Sequence, residues 1–491
     1  MKRYIKTTIL ALAVAATALA VNPKREFRGA WMHTIGQMQY SEQTTEQNKA
    51  YIRDQFDKLQ KAGVNAVLFQ VRPSADAFYP SKYEPWIKYL TKDGKEPSPY
   101  WDPLAFVIEE AHNRGMELHA WLNPYRVTTG KTDVPAPGHL SHKHPERFVR
   151  YADGKIYFDP ALPENREFIA KVVMDIVDNY DVDGIHFDDY FYPYPVAGKD
   201  FPDAKSYAKY GKGKNKGNWR RHNVDLLIEL VSKRIRQSDK PWIRFGISPF
   251  GIWRNKKSDP RGSNTSGLQN YDDLYADVLL WAENGWIDYL LPQLYWEIEH
   301  PRAGYIELID WWAKAVTPNC HLYIGQDVER TMEKPDIDPY NSPTQLDHKM
   351  RLVRENENIK GNCWWPGYSI TKNSKGVADS LAYRLQASIA LPPSYATNFE
   401  DFYTETPKNF RYKDGNLMWD APKAQGLSCD VSKYVIYRFD DELSRDYDNP
   451  WTIVAVTPAT SFKVPSAGFY SVTALNKVNN ESEPTKIICV E

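Results

Sequence analysis

Between residues 27 and 390, short apolar runs alternate with longer stretches whose apolar positions recur every three to four residues. The runs at 27–34, 64–72, 116–124, 182–188, 243–249, 287–296, 321–326 and 360–366 predict strands, several of them bounded by Gly or Pro. The stretches at 46–61, 103–114, 164–180, 218–238, 271–284, 305–315, 344–356 and 377–389 predict helices. Eight strand-then-helix units predict an α/β chain closed as a (β/α)8 barrel. After Pro392-Pro393 the rhythm changes to short alternating runs at 417–419, 433–438, 452–456, 461–464, 468–475 and 485–490. That pattern predicts a small all-β sandwich of about a hundred residues.

Connections indicate which barrel end carries chemistry. Helix-to-strand links are short and contain Gly, as at 61–64, 113–116 and 284–286, whereas strand-to-helix links at 73–101, 125–162, 190–217 and 250–270 are long. Insertions gather where function is built, at the C-terminal ends of barrel strands.

The first twenty residues read separately. Lys2, Arg3 and Lys6 precede an apolar run over 7–19 and the small-residue site Ala18-Leu19-Ala20, the layout of a secretory signal peptide and too short for a membrane span. The expected organisation is therefore a signal peptide at 1–20, a barrel at 21–391 and a sandwich at 392–491. The mature chain is expected in a periplasm or outside the cell, with no transmembrane segment.

A net charge of −1 gives no electrostatic reason for nucleic-acid binding. Four cysteines are too few for a disulfide framework; Cys320 with Cys363, or Cys429 with Cys489, are the pairs that an oxidising compartment would allow. Aromatic residues reach 14%, many just after predicted strands, which suits a surface that stacks on sugar rings.

The run Asp181-Val-Asp-Gly-Ile-His-Phe-Asp-Asp-Tyr190 concentrates the candidate chemistry. Alternation puts His186 and Asp188 on one face of a strand, with Asp189 and Tyr190 at its tip. Adjacent acids repel and are costly to bury, so their place at a strand tip points to catalysis. Other tips offer Gln70 and Arg72; His119, Asn123, Tyr125 and Arg126; Gln293, Tyr295 and Trp296; and Trp364 and Trp365. Amides, a guanidinium, phenols and indoles together suit sugar hydroxyls and ring faces. Glycoside cleavage calls for a proton donor and usually a second carboxylate. Asp188 takes one role, and the second lies among Asp189, Glu297, Asp327 and Asp76. Where the substrate's own acetamide is the nucleophile, the Asp188-Asp189 pair supplies acid and orienter, and Tyr295 holds the acetamide.

Arg28-Gly-Ala-Trp31, Gln70-Val-Arg72, His119-Ala-Trp-Leu-Asn-Pro124, Asp183-Gly-Ile-His-Phe-Asp-Asp-Tyr190, Ile247-Ser-Pro-Phe-Gly251 and Pro292-Gln-Leu-Tyr-Trp296 follow the order of motifs in the glycosyl hydrolase-like 10 family, formerly domain of unknown function 187, which this chain resembles over about 25–390. The resemblance implies a TIM barrel and an exported bacterial glycosidase, with peptidoglycan glycan strands as a substrate of some members. It supports Arg72, Asn123, His186, Asp188, Asp189, Gln293 and Tyr295 as site residues; Glu297 and Asp327 lie beside its motifs. The C-terminal segments 434–438, 468–475 and 479–484 resemble a fibronectin type III domain. The leading expectation is hydrolysis of an aminosugar polysaccharide by carboxylates, with Asp188 and Asp189 catalytic, Arg72, Asn123, Tyr125, His186, Gln293, Tyr295, Trp296 and Trp365 binding substrate, and no cofactor or metal. Two other classes are a carbohydrate-binding barrel without turnover and a metal-dependent polysaccharide deacetylase using His186, Asp188 and Asp189.

Overall fold

The computed structural model describes residues 22–335, 343–395, 403–423 and 430–491. The expected signal peptide and Cys429 lie outside them. Eight parallel strands close a barrel: β1 (Phe27–Met32), β2 (Ala66–Arg72), β3 (Glu117–Leu122), β6 (Gly184–Phe187), β7 (Arg244–Ile247), β8 (Tyr289–Leu290), β9 (His321–Asp327) and β10 (Ile359–Trp365), with β1 paired to both β2 and β10. Strands β4 (Phe148–Arg150) and β5 (Ile156–Phe158) form an antiparallel hairpin in the long loop after β3.

Local chemistry explains the element ends. The helix Thr45–Lys61 begins with a capping box, in which the Thr44 side chain accepts from Gln47 N and the Gln47 side chain accepts from Thr44 N. Asp102 caps the helix Pro103–Asn113, whose first position is proline. The two helices run into left-handed glycines, Gly63 and Gly115, which let the chain turn sharply into the next strand. Strand β8 is far shorter than its apolar run predicts. Pro292 has no N–H to give the ladder, so pairing lapses and returns only as single bridges from Gln293 to Phe250 and Gly325. The freed backbone forms the turn that carries Tyr295 and Trp296.

The barrel interior holds polar side chains among its aromatic ones. Gly184 and Gly246 leave room there: a Cβ at Gly184 would lie 2.5 Å from His119 Nδ1, and one at Gly246 would lie 2.0 Å from the Tyr289 ring. These two side chains belong to a hydrogen-bonded chain along the barrel axis. Trp31 Nε1 donates to His186 Nε2 (3.3 Å), and because an indole can only donate, the His186 proton sits on Nδ1, 3.0 Å from the Tyr289 hydroxyl. Tyr289 in turn meets His119 Nδ1 (2.9 Å), whose Nε2 lies 3.1 Å from Glu117 Oε2. Glu117 Oε1 accepts from Arg244 (2.7 Å) and from Asn479 of the C-terminal module (2.7 Å).

That module consists of two antiparallel sheets. One holds β11 (Lys408–Lys413), β12 (Asn416–Asp420) and β15 (Ser461–Lys463); the other holds β14 (Ile453–Thr457), β13 (Val431–Phe439), β16 (Gly468–Asn476) and β17 (Ile488–Val490). Leu417, Trp419, Tyr434, Ile436, Tyr470, Val472 and Ala474 form their shared core. The module seats on the N-terminal face of the barrel, opposite the long loops: Arg244 donates to Lys477 O (3.1 Å), Lys477 pairs with Asp181 (2.8 Å), and Arg25 donates to Asn479 O (2.9 Å). Cys320 and Cys363 are buried and unbonded, which removes the first expected disulfide pair.

Candidate active site

The strand tips of the barrel's C-terminal face surround a cavity of about 230 Å³ lined by Trp31, Ile35, Gln70, Trp121, Arg126, Asp188, Asp189, Tyr190, Gln293, Tyr295 and Trp365. Asp188 and Asp189 are the carboxylates among these lining residues. Asp188 stands where β6 ends, on the same face as His186, so alternation along the strand sets it directly above the barrel axis.

Three N–H groups converge on Asp188: Asn123 Nδ2 donates to Oδ2 (3.1 Å), while Gln293 Nε2 (3.2 Å) and the backbone N–H of Asp189 (2.9 Å) donate to Oδ1. Each donor is itself held. Asn123 Oδ1 accepts from Gln70 Nε2 (3.1 Å) and Arg126 Nη2 (3.0 Å), and Gln293 Nε2 also donates to Ser248 O (3.0 Å). Asp189 is different. It is 1% exposed, and burial, followed by the charge of Asp188, pushes its carboxyl well above the usual range. The Tyr194 hydroxyl donates to its Oδ2, a contact that favours the ionised form but does not outweigh the other two. Two neighbouring acids thus sit in different surroundings, Asp188 ringed by N–H donors and Asp189 buried with its carboxyl pushed up.

Other expected residues fall into place around this pair. Gln293, Tyr295 and Trp365 line the cavity, with the Trp365 ring edge-on to Trp121 (6.0 Å). The Tyr295 hydroxyl has no hydrogen-bond partner among the described residues and is open to a ligand. Asn123 is fully buried and reaches the site through Asp188. Arg72 is also fully buried; its guanidinium binds Glu84 (2.7 and 2.5 Å) and the carbonyls of Asn123 (2.5 Å) and Pro124 (3.1 Å), so it holds the β3 tip and does not line the cavity. Tyr125 is buried away from the cavity. His186 lies one layer below Asp188, its Nε2 engaged by Trp31 and Ser248 (2.9 Å) and its Nδ1 by Tyr289, leaving no ring nitrogen for a metal. Burial keeps it neutral, far below the ordinary histidine range.

The further acids stand elsewhere. Asp327 caps the helix Val328–Glu333 by accepting from Arg330 N (2.9 Å), Glu297 pairs with Lys334 (3.3 Å), and Asp76 lines a separate groove. Trp296 packs edge-on against Phe250 (5.5 Å), outside the cavity. Tyr194, Trp121 and Ile35 are the site residues that motif reading passed over; the aromatic run Tyr190-Phe-Tyr-Pro-Tyr194 directly after the acids was the available signal for the first.

Lys349 supports the turn that presents Tyr295. It is fully buried, and its Nζ donates to Trp296 O (2.8 Å) and Thr331 Oγ1 (3.2 Å). Burial brings its amine down to about 7, against the partial opposition of Asp327 and Glu297. A folded pKa below the unfolded one means that folding favours the neutral amine. The penalty is absent near pH 10.5, grows as pH falls, and levels off below about 7. Lys349→Met is therefore expected to raise stability at pH 7 relative to wild type, with the advantage shrinking by pH 9.5. Urea midpoints of both proteins at the two pH values measure it; an equal difference at both removes the explanation.

A closed parallel barrel whose strand tips gather a carboxylate pair, amides and indoles has the architecture of glycoside hydrolase barrels. The chain belongs to the glycosyl hydrolase-like 10 family, whose sequence pattern it matches over residues 26–341. It is 38% identical to glycosyl hydrolase YngK of Bacillus subtilis (strain 168) across 99% of this chain and 98% of that one. It is also 38% identical to glycosyl hydrolase DigH of Escherichia coli (strain K12), across 64% of this chain and 75% of that one. Among solved structures, the catalytic domain of β-amylase from Paenibacillus polymyxa is similar at a TM-score of 0.49 and 12% identity, covering 75% of this chain and all of that one.

Proposed function

We propose that the chain is an exported glycosidase that cleaves N-acetylated aminosugar strands, such as peptidoglycan glycan stripped of peptides, with the substrate's acetamide as nucleophile. The observation that carries this reading is the adjacency of the two cavity carboxylates. Retaining pairs stand ~5–5.5 Å apart and inverting pairs ~6.5–9.5 Å apart, flanking the bond to be cut. Here the cavity-lining acids are chain neighbours at one strand tip, and among the described residues no other carboxylate lines the cavity. That arrangement supports a nucleophile brought by the substrate itself.

In this mechanism Asp189 gives its proton to the leaving glycosidic oxygen. The acetamide oxygen attacks the anomeric carbon, Asp188 accepts the acetamide N–H and orients it, and the Tyr295 hydroxyl donates to the acetamide oxygen. Water then opens the cyclic intermediate while Asp189 takes a proton back. Trp365 and Trp121 offer ring faces to the sugar. The leader at 1–20 supports export, and among the described residues no helix is long and apolar enough to cross a membrane. For the C-terminal module we infer an immunoglobulin-like, fibronectin type III-like sandwich. Its three-plus-four sheets support this, as does Tyr470, whose hydroxyl donates back to Ser466 O (2.7 Å) as in the tyrosine corner of such domains.

The test incubates wild-type protein with stripped glycan strands, and with the same strands after N-deacetylation, and reads products by mass spectrometry. Cleavage of the first and not the second is the expected result. Cleavage of both at equal rates overturns acetamide participation, and cleavage of neither overturns the glycosidase reading for this polymer.

A further inference from the structure

Tyr194 stands outside the cavity lining yet touches the acid that the proposed chemistry uses. The chain reaches it by a turn after β6, in which Phe191 N donates to Asp189 O (3.0 Å). Tyr192 N then donates to Leu274 O (3.4 Å) and Val196 N to the Tyr151 hydroxyl (2.8 Å), so the backbone is tied down on both sides of Tyr194. Its ring is held as well, edge-on to Tyr190 (5.5 Å) and to Phe250 (6.1 Å), which comes from the loop after β7. Phe250 in turn packs against Trp296 (5.5 Å), from the turn after β8. Three strand tips thus fix one half-buried phenol with its hydroxyl against Asp189 Oδ2.

The phenol settles the direction of that bond. Burial, then the charge of Asp189, pushes the Tyr194 hydroxyl far above the ordinary tyrosine value, so it stays protonated and donates. The better acceptor on a carboxyl group is its carbonyl oxygen, so donation to Oδ2 leaves Oδ1 to carry a proton. The titratable and charged groups around Asp189 are Asp188, Tyr190 and Tyr194 from its own loop, Arg126 from the loop after β3 and Tyr295 from the turn after β8. Burial, then the charge of Asp188, raises the Asp189 carboxyl; Tyr194 lowers it, because its hydrogen bond favours the ionised form.

We propose that Tyr194 is the positioning residue of the proton donor: its hydroxyl occupies Asp189 Oδ2, assigns the proton to Oδ1, and stabilises the carboxylate that remains once the proton has left. The inference rests on the glycosidase reading above. In the step concerned, the Oδ1–H bond breaks and the proton goes to the glycosidic oxygen. That oxygen keeps the electron pair of its bond to the anomeric carbon, and the acetamide oxygen bonds to the carbon in its place. Negative charge appears on Asp189 as this happens, and the Tyr194 bond strengthens with it. Without that hydroxyl Asp189 is a weaker acid and gives up its proton less readily.

The experiment measures kcat and KM for stripped strands over a pH series, with wild type, Tyr194→Phe and Tyr192→Phe. The last removes from the same run a buried hydroxyl that has no hydrogen-bond partner among the described residues. Tyr194→Phe is expected to lower kcat about 10–100-fold with KM retained, the effect of one hydrogen bond to a charge that develops in the reaction. Its alkaline limb should move to higher pH, opposite to the shift expected when the Asp188 charge is removed. Phe250→Leu, which loosens the ring and keeps the hydroxyl, should move the limb the same way by less, and Tyr192→Phe should match wild type. Phenyl and dinitrophenyl glycosides of N-acetylglucosamine give a second readout. The Tyr194→Phe defect should be large on the first and shrink on the second, whose leaving group departs without a proton. An unmoved limb, or equal defects on the two glycosides, overturns the positioning role and leaves the glycosidase intact. Cleavage of no substrate by wild type counts against the glycosidase instead. Tyr194 is then judged by infrared difference spectra across pH, in which the carboxyl band of Asp189 is the one missing from Asp189→Asn. A higher midpoint for that band in Tyr194→Phe sustains the hold of Tyr194 on the acid, and an equal one overturns it.

Discussion

Asp189→Asn is expected to lower turnover of stripped glycan strands by about 10²–10⁴-fold while strand binding persists, the range that loss of a positioned proton donor produces. The carboxamide keeps the shape of the acid and can still accept from Tyr194, so folding is spared. What it lacks is the transferable proton that burial and the Asp188 charge retain. Asp188→Asn should reduce turnover as severely by another route. Its new amide group would face the amides of Asn123 and Gln293, which donate to the carboxylate in the native site, and it would no longer accept an acetamide N–H. It also removes the charge that helps to hold the Asp189 proton. The wild-type rate should therefore fall on the alkaline side as Asp189 ionises, and in Asp188→Asn that limb should move to lower pH. Product release quantified by mass spectrometry over a pH series checks both variants. Undiminished turnover by Asp189→Asn would move the proton-donor role to another group.

The largest effect on stability is expected from Glu117→Ala. Burial pushes this carboxyl up, but the charge of Arg244 and its contact with His119 outweigh burial and hold it at about 2. Removing it strands the Arg244 guanidinium in the barrel floor, which costs about 3–5 kcal/mol for a buried pair broken on one side. A folded pKa below the unfolded one contributes stability that is complete above about 4.5 and is lost as pH falls toward 2. The wild-type protein should thus decline more steeply over that window than the variant, in which other buried carboxylates such as Glu26 and Asp183 still respond. Because Asn479 loses its acceptor as well, the module should loosen with the barrel. The double variant Glu117→Leu/Arg244→Met is expected to recover much of the loss, since no charge is left unpaired. Urea denaturation followed by tryptophan fluorescence measures all three; a Glu117→Ala midpoint equal to wild type would remove Glu117 from the account.

Hydrophobic periodicity was sufficient for the barrel, because each strand is buried on both faces and bounded by turn residues. It failed at β8, where an apolar run and a proline compete and the ladder gives way after Leu290. Alternation likewise placed Asp188 correctly above the barrel axis. Arg72 was harder: a guanidinium on an inward face looks available until its partner Glu84, twelve residues away in a loop, is known to claim it. The same is true of Asp327, where helix capping and catalysis use one residue type. Asp189 was legible as an acid, but not its raised pKa, because that depends on burial and on the neighbouring Asp188 charge.

The axial chain of hydrogen bonds bears on how this protein can be rearranged. Donors along it run one way, from Trp31 at the cavity end to the Glu117 carboxylate, and its last acceptor is completed by Asn479. Each ring fixes the tautomer of the next, so no member can be reversed alone. The C-terminal module is thus no cassette to be cut away or grafted onto another barrel, and a chain ended at residue 391 would lack the final partner of a series that begins beneath the cleft.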